Sequence, residues 1–192
     1  MGGIGVLALQ GDFAEHVKLL EAMGMQATEV RLPGDLRDIQ SLIIPGGEST
    51  TIAHLMDVFN LTEDIKRLVR EGMPTWGTCA GMILLANEIT EDRPKPLGLI
   101  NICVQRNAFG RQVDSFETDV SVPVLGAEAF PAVFIRAPVI EEIGPGVKSL
   151  AYLDDHRVIA AQQGNVLVTA FHPELTKDQR FHSYFLSMSS GS

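Results

Sequence analysis

The sequence has little cysteine, no run of like charges and no apolar stretch longer than a strand. Cys79 and Cys103 are its only two cysteines, too few and too far apart for a disulfide scaffold or a Cys-x-x-Cys metal or redox motif, so at least one thiol is free for chemistry. A basic footprint is also missing: the formal net charge is −9, with acidic residues spread along the chain, which argues against a nucleic-acid partner. The start, Met1-Gly2-Gly3-Ile4-Gly5-Val6, lacks a basic segment ahead of a hydrophobic one, so neither leader nor membrane span is expected and the chain reads as cytoplasmic. No histidine and acid cluster with ligand spacing calls for a metal, and no cofactor is expected.

What is present is an ordinary folding composition, 45% hydrophobic and 20% charged, without low-complexity tracts. The length of 192 residues suits one domain and would cramp a second. The expectation is a single domain over residues 1–188, with 189–192 as a polar tail of no assigned function.

Strand-like and helix-like segments alternate in the first half. Ile4 to Leu9 is apolar throughout, and Phe13, Val17 and Leu20 then recur at helical spacing. Ala27 to Leu32 and Ser41 to Ile44 read as strands, and Leu61, Ile65, Leu68 and Val69 share a helix face that ends near Gly72. Met73 to Gly77 reads as a strand feeding a helix from Ala80 to Asn87. This alternation predicts a parallel sheet covered on both faces. From Leu97 onward strands and turns follow: Leu99 to Gln105, Phe116 to Val120, Val133 to Arg136, Leu150 to Leu153, Val158 to Ala161 and Val166 to Ala170, closed by a helix from Lys177 to Met188. The fold class is therefore α/β, a three-layer αβα sandwich with a mostly parallel central sheet and some antiparallel strands in its second half.

Gly77-Thr78-Cys79-Ala80-Gly81 has the form Gly-x-Cys-x-Gly, the cysteine counterpart of the turn that lifts a nucleophile between a strand and a helix. Its glycines lack the Cβ atoms that would collide in so sharp a reversal, and a helix starting at Ala80 aims its N-terminal field at the sulfur, favouring the attacking thiolate. A lone cysteine in apolar surroundings is otherwise a buried structural residue, and Cys103, in Leu99-Ile100-Asn101-Ile102-Cys103-Val104, reads as a small core residue. Downstream, Phe171-His172-Pro173-Glu174 ends an apolar strand. In an extended chain His172 and Glu174 face one side, so Glu174 can hold one imidazole nitrogen while the other takes a proton from Cys79. The competing reading is a strand-end histidine beside a solvated acid. His16, His54, His156 and His182 lack such a setting, and His16 and His182 read as residues that cap or cross-link surfaces.

Attack on an amide creates an oxyanion that needs two donors. The Ala80 N–H is one candidate, and Gly47 in Pro45-Gly46-Gly47-Glu48-Ser49 is the other, because a glycine pair can turn its amides inward. That segment lacks the lysine and spacing of a phosphate loop, and reading it as a plain strand-to-helix connection stays open.

Gly-Thr-Cys-Ala-Gly followed by His-Pro-Glu resembles the class I, triad-type glutamine amidotransferases, a flavodoxin-like fold. Further blocks narrow the resemblance to the glutaminase subunits of two-component pyridoxal 5′-phosphate synthases: Leu9-Gln10-Gly11-Asp12-Phe13 with Glu15-His16, Pro45 to Thr51, Gln105-Arg106-Asn107-Ala108-Phe109-Gly110-Arg111-Gln112, Phe134-Ile135-Arg136-Ala137-Pro138 and Phe171 to Leu175. The resemblance implies that L-glutamine lies against Gly47, Glu48 and Ser49, with Arg106, Ile135 and Arg136 completing its pocket. An Arg fork suits the α-carboxylate, although residues alone leave a plain ion pair open for each Arg. It further implies a separate barrel-shaped synthase subunit that receives the ammonia and makes pyridoxal 5′-phosphate from ribose 5-phosphate and glyceraldehyde 3-phosphate. On this reading the chain alone is a poor glutaminase, activated when the synthase docks near Gly46-Gly47. The alternatives are a glutaminase subunit serving another synthase, a γ-glutamyl peptidase or related cysteine hydrolase, and a non-catalytic subunit that stabilises a complex.

Overall fold

The opening apolar run forms β1 (Gly3–Leu7), buried from Ile4 onward on both faces, as a central parallel strand must be. The computed structural model describes residues 3–106, 115–153 and 156–189. Residues 107–112 of the expected Gln105 to Gln112 block, and 190–192 of the expected tail, lie outside them.

After β1 come α1 (Phe13–Ala22), β2 (Ala27–Val30), β3 (Ile39–Ile44), α2 (Ser49–Val58), α3 (Thr62–Arg70), β4 (Thr75–Thr78), α4 (Ala80–Leu85) and β5 (Ala86–Ile89). The second half adds β6 (Ile100–Gln105), β7 (Ser115–Val120), β8 (Phe130–Ile135), β9 (Val139–Ile143), β10 (Lys148–Tyr152), β11 (Val158–Gln163), β12 (Val166–Thr169) and α5 (Arg180–Ser189).

Nine strands of a ten-stranded sheet run in the order β2-β1-β3-β4-β12-β11-β9-β6-β5, and β10 pairs with β11. The first five are mutually parallel, so their C-terminal ends share one edge. This is the 2-1-3-4-5 order of flavodoxin-like sheets, whose ligands bind outside the carboxyl ends of the strands. Beyond β12 the pairing turns antiparallel, apart from β5 on β6, while β7 and β8 form a separate hairpin-like ribbon. The mostly parallel sheet with antiparallel strands in the second half is as expected, and helices surround it.

Several boundaries differ from the sequence reading for local reasons. The helix expected from Ala80 to Asn87 stops at Leu85, because the returning chain takes its last carbonyls: Leu97 N donates to Leu84 O (2.7 Å), Leu99 N to Leu85 O (3.0 Å) and Gly98 N to Ala86 O (3.0 Å). α5 begins at Arg180 rather than Lys177, where the Asp178 carboxylate accepts the Arg180 backbone N–H at 3.0 Å. Three of these elements were unforeseen: α2, β5 and β9. The buried apolar side chains form one cluster, with Trp76 of β4 packed against Phe181 and Phe185 of α5. Among the described residues no helix is long and apolar enough to cross a membrane.

Candidate active site

Four loops leave the shared edge of the parallel strands, and each brings one part of the site. After β4, Cys79 adopts φ +48 and ψ −103, a strained conformation for a residue with a side chain. The strain is imposed by packing. A Cβ on Gly77 would strike the Gly81 carbonyl, and one on Gly81 would overlap the Ile44 carbonyl, so only glycine fits either place. Cys79 N donates to Thr169 O at 2.8 Å, tying the turn to β12, and the Sγ lies 3.8 Å from Ile135 O. Ala80 is the first residue of α4, where an N–H has no preceding helical carbonyl to bond.

After β12, His172 is 3% exposed and its backbone N–H is anchored on Val133 O at 2.8 Å. Glu174 Oε1 lies 2.7 Å from His172 Nδ1. The geometry differs from the extended chain expected: Pro173–Leu175 is a 3₁₀ turn, and this turn brings the acid back beneath the ring. Burial opposes a charge on His172, but hydrogen bonds to Cys79 and Glu174 and the electrostatics of both outweigh it and push the ring up to about 10. Burial, in turn, pulls the Glu174 carboxyl up, against the hydrogen bond from His172.

After β1, Asp12 Oδ2 stands 3.5 Å from the same His172 Nδ1, and Asp12 N donates to Gly46 O at 3.0 Å. After β3, a Cβ on Gly46 would overlap the His172 ring, so this glycine makes room for it. Gly47 has φ +152, and the Gln10 side chain braces the segment by accepting the Glu48 N–H at 2.8 Å. Glu48 caps α2, accepting from Thr50 N (3.1 Å), Thr51 N (2.7 Å) and Thr51 Oγ1 (2.8 Å). Burial raises its carboxyl, and the bonds from Thr51 and Thr50 overcome this to hold it below the usual range. Its Oε1 also meets Arg106 Nη2 at 3.2 Å, while Arg106 Nη1 donates to Arg93 O at 2.7 Å. Ser49 Oγ is buried without a hydrogen-bond partner among the described residues.

A cleft of about 320 Å³ collects every expected site residue except Glu174: Cys79, His172, Gly47, Ala80, Glu48, Ser49, Arg106, Ile135 and Arg136 all line it, together with Asp12 and Ile83. Glu174 sits behind His172, out of the cleft and 5% exposed. Facing cationic forks and carboxylates in one cleft suit a small zwitterion, and the thiol and imidazole at its floor suit acyl transfer. Asp12, His172 and Glu174 each place one potential metal-ligand atom within 4.8 Å of the others. A cation there would displace the proton that His172 Nδ1 shares with Glu174.

Two readings need correction. His16 and His182 do cross-link two elements, but inside rather than at a surface: both are fully buried behind Glu174, on the core-facing sides of α1 and α5 beside Trp76. Cys103 is half-buried rather than core, since Ile100, Ile102 and Val104 occupy the inner face of β6 and Cys103 alternates outward. The sequence reading also missed Asp12, Gln10 and Gly46 as site residues. Their signal was the Gln10-Gly11-Asp12 turn at the end of β1, a position that in parallel sheets faces the ligand edge.

Comparison with known proteins agrees with this geometry. Residues 6–190 match the SNO glutamine amidotransferase family. A "Pyridoxal 5′-phosphate synthase subunit PdxT" from Herpetosiphon aurantiacus is 58% identical over 188 residues, covering 96% of this chain and 99% of the relative. Its namesake from Moorella thermoacetica is 60% identical over 186 residues, covering 96% and 98%. A crystal structure of a glutamine amidotransferase superposes with a TM-score of 0.92 at 48% identity, covering 98% of this chain and 100% of that one. With the family pattern running through the loops that carry Cys79 and His172, the chain belongs to the SNO glutamine amidotransferase family.

Proposed function

We propose that this chain is the glutaminase subunit of a pyridoxal 5′-phosphate synthase, hydrolysing L-glutamine to L-glutamate and ammonia with Cys79 as nucleophile, His172 as acid and base, and Glu174 as the residue that orients His172. The observation that carries this is the convergence at one cleft floor of a strained, glycine-framed Cys79 and a histidine held protonated by Cys79 and Glu174.

The Cys79 thiolate attacks the side-chain carboxamide carbon of glutamine, and the N–H groups of Gly47 and Ala80 receive the oxyanion. Collapse breaks the C–N bond as His172 gives its proton to the leaving nitrogen, releasing ammonia and leaving a γ-glutamyl thioester. Water then attacks the thioester with His172 taking its proton, the C–S bond breaks, and glutamate leaves with the thiolate restored. Arg106 and Arg136 offer cationic groups for the α-carboxylate, Glu48 an anionic one for the α-ammonium, and Ser49 Oγ a free hydroxyl.

Ammonia escaping into neutral water is protonated and lost as a nucleophile, so the product is passed to a barrel-shaped synthase subunit in a hetero-oligomeric complex. The 96% coverage of full-length synthase-subunit relatives supports this partner. The remaining features of the reading are a single domain over residues 1–188 and a cytoplasmic setting.

The test is glutamate release from glutamine with and without the synthase subunit. Release that rises strongly on adding the synthase, and disappears in Cys79→Ala, is expected. Equal turnover without the synthase would refute the coupled assembly, and activity retained in Cys79→Ala would refute the nucleophile.

A further inference from the structure

Behind Glu174 lies a polar cluster to which the chemistry of Cys79 and His172 gives no role. His16 Nδ1 is 3.0 Å from His182 Nε2, and both rings are fully buried. The other nitrogen of His16 is 3.4 Å from Glu174 Oε2 and 3.4 Å from Thr78 Oγ1. Glu174 uses Oε1 on His172, so Oε2 is the oxygen that faces His16, and among the described residues it has no hydrogen bond of good geometry. A buried carboxylate oxygen left in that state is costly, and an approach of about half an ångström by a donor would satisfy it. Trp76 packs edge-on against both rings, with centroid separations of 5.7 and 4.8 Å, and limits where they can turn.

We propose that His16 and His182 form a brace that holds Glu174, and through it His172, in register with Cys79: His182 Nε2–H donates to His16 Nδ1, and His16 Nε2–H donates to Glu174 Oε2. This deepens the glutaminase reading and rests on it. The direction of the chain follows from two observations. His182 Nδ1 is buried without a partner among the described residues, a tolerable state for a bare nitrogen and a poor one for an N–H. The reverse direction would also aim a bare His16 nitrogen at a carboxylate. Both rings stay neutral, as such a chain requires: burial, then the nearby His182 and His172, lower His16 well below the usual value, and burial takes His182 down to about 3. Neither ring lines the cleft, so both are positioning residues.

The experiment is the pH profile of kcat and kcat/KM for glutamine, with the synthase subunit present, in the unaltered chain and in His16→Leu, His16→Gln and His182→Leu. The groups that face Glu174 are His16 and His172, with the Asp12 charge nearby, and those that face His172 are Cys79, Glu174 and Asp12. A carboxylate that loses a donor keeps its proton to higher pH. The acid limb is therefore expected to move up by about one pH unit in His16→Leu, with kcat lowered about tenfold and KM little changed. His16→Gln, which keeps an N–H donor, should restore both. His182→Leu should show a smaller shift of the same sign. An acid limb that does not move in His16→Leu, while the unaltered complex turns over, would overturn the brace and leave the glutaminase reading standing. No glutamate release from the unaltered complex would overturn both. Should the leucine variants fail to fold, imidazole ¹⁵N shifts of the unaltered protein decide the matter: protons on Nε2 of both His16 and His182 support the brace, and a proton on His16 Nδ1 refutes it.

Discussion

Cys79 and Cys103 lie in opposite halves of one sheet, and their surroundings share almost nothing. Cys79 follows the C-terminal end of β4, where parallel strands deliver Asp12, Gly47 and His172 to the same edge. Cys103 sits mid-strand in β6, beside Glu88 and Glu142, where burial first and then those carboxylates push its thiol up. Cys103 is the more exposed of the two, yet it has neither a histidine partner nor a strained turn. Accessibility is therefore a poor guide to reactivity here. What distinguishes the parallel half is convergence: strands of one direction end together, so their loops can assemble a site, whereas antiparallel neighbours end at opposite edges.

The largest expected difference is in turnover. With the synthase subunit present, Cys79→Ala should lower glutamate release by about ten-thousand-fold or more, and Cys103→Ala should stay within about twofold. Comparable losses in both would erase the contrast. Next comes backbone crowding. Gly81→Ala, whose Cβ would overlap the Ile44 carbonyl, should cost about 3 kcal/mol or more in urea unfolding. Gly98→Ala, ahead of β6, has φ +67 but its closest neighbour is Asn87 Oδ1 at 3.7 Å, so it should cost only about 1 kcal/mol.

Acid should weaken the parallel half. His182, lowered from 6.5 to about 3 by burial, takes up a proton in the unfolded chain before the folded one. Its stabilising contribution is whole above pH 6.5 and is lost as pH falls toward 3, about 3 kcal/mol by pH 4.5. Urea midpoints at pH 7 and 4.5 measure this, and His182→Phe should flatten the difference. On the alkaline side His172, raised from 6.5 to about 10, contributes stability that is whole below pH 6.5 and fades as pH rises through 10. The smallest effect is expected at Cys103, which iodoacetamide should alkylate at pH 8 less than about tenfold more slowly than an unfolded cysteine, given its raised thiol. Faster alkylation of Cys103 than of Cys79 would break the comparison.

Most of the fold and of the cleft was legible where short-range chemistry decides. The glycines around Cys79 signalled a turn because no other residue fits so tight a reversal. The expected cleft residues, from Gly47 to Arg136, do meet there. Glu48 was legible only in part: it lines the expected cleft, but its carboxylate also caps α2 and holds Arg106. His16 and His182 were misread because a polar residue on an amphipathic helix ordinarily faces water, and only the packing of α1 against α5 shows that these two face inward.

By itself, then, the sequence determined the alternation of strands and helices, the glycine-framed Cys79 and the proximity of His172 to Glu174, all of them within a few residues along the chain. Tertiary structure alone decided that Asp12 shares the His172 ring with Glu174, that Gly46 makes room for that ring, and that two histidines 166 positions apart touch behind it. These contacts depend on strand order and on how far each loop reaches, and neither quantity is written in any short stretch of residues. The same holds for Cys79: its turn marks it as the proposed nucleophile, and the parallel edge brings His172, Gly47 and Asp12 to the same cleft.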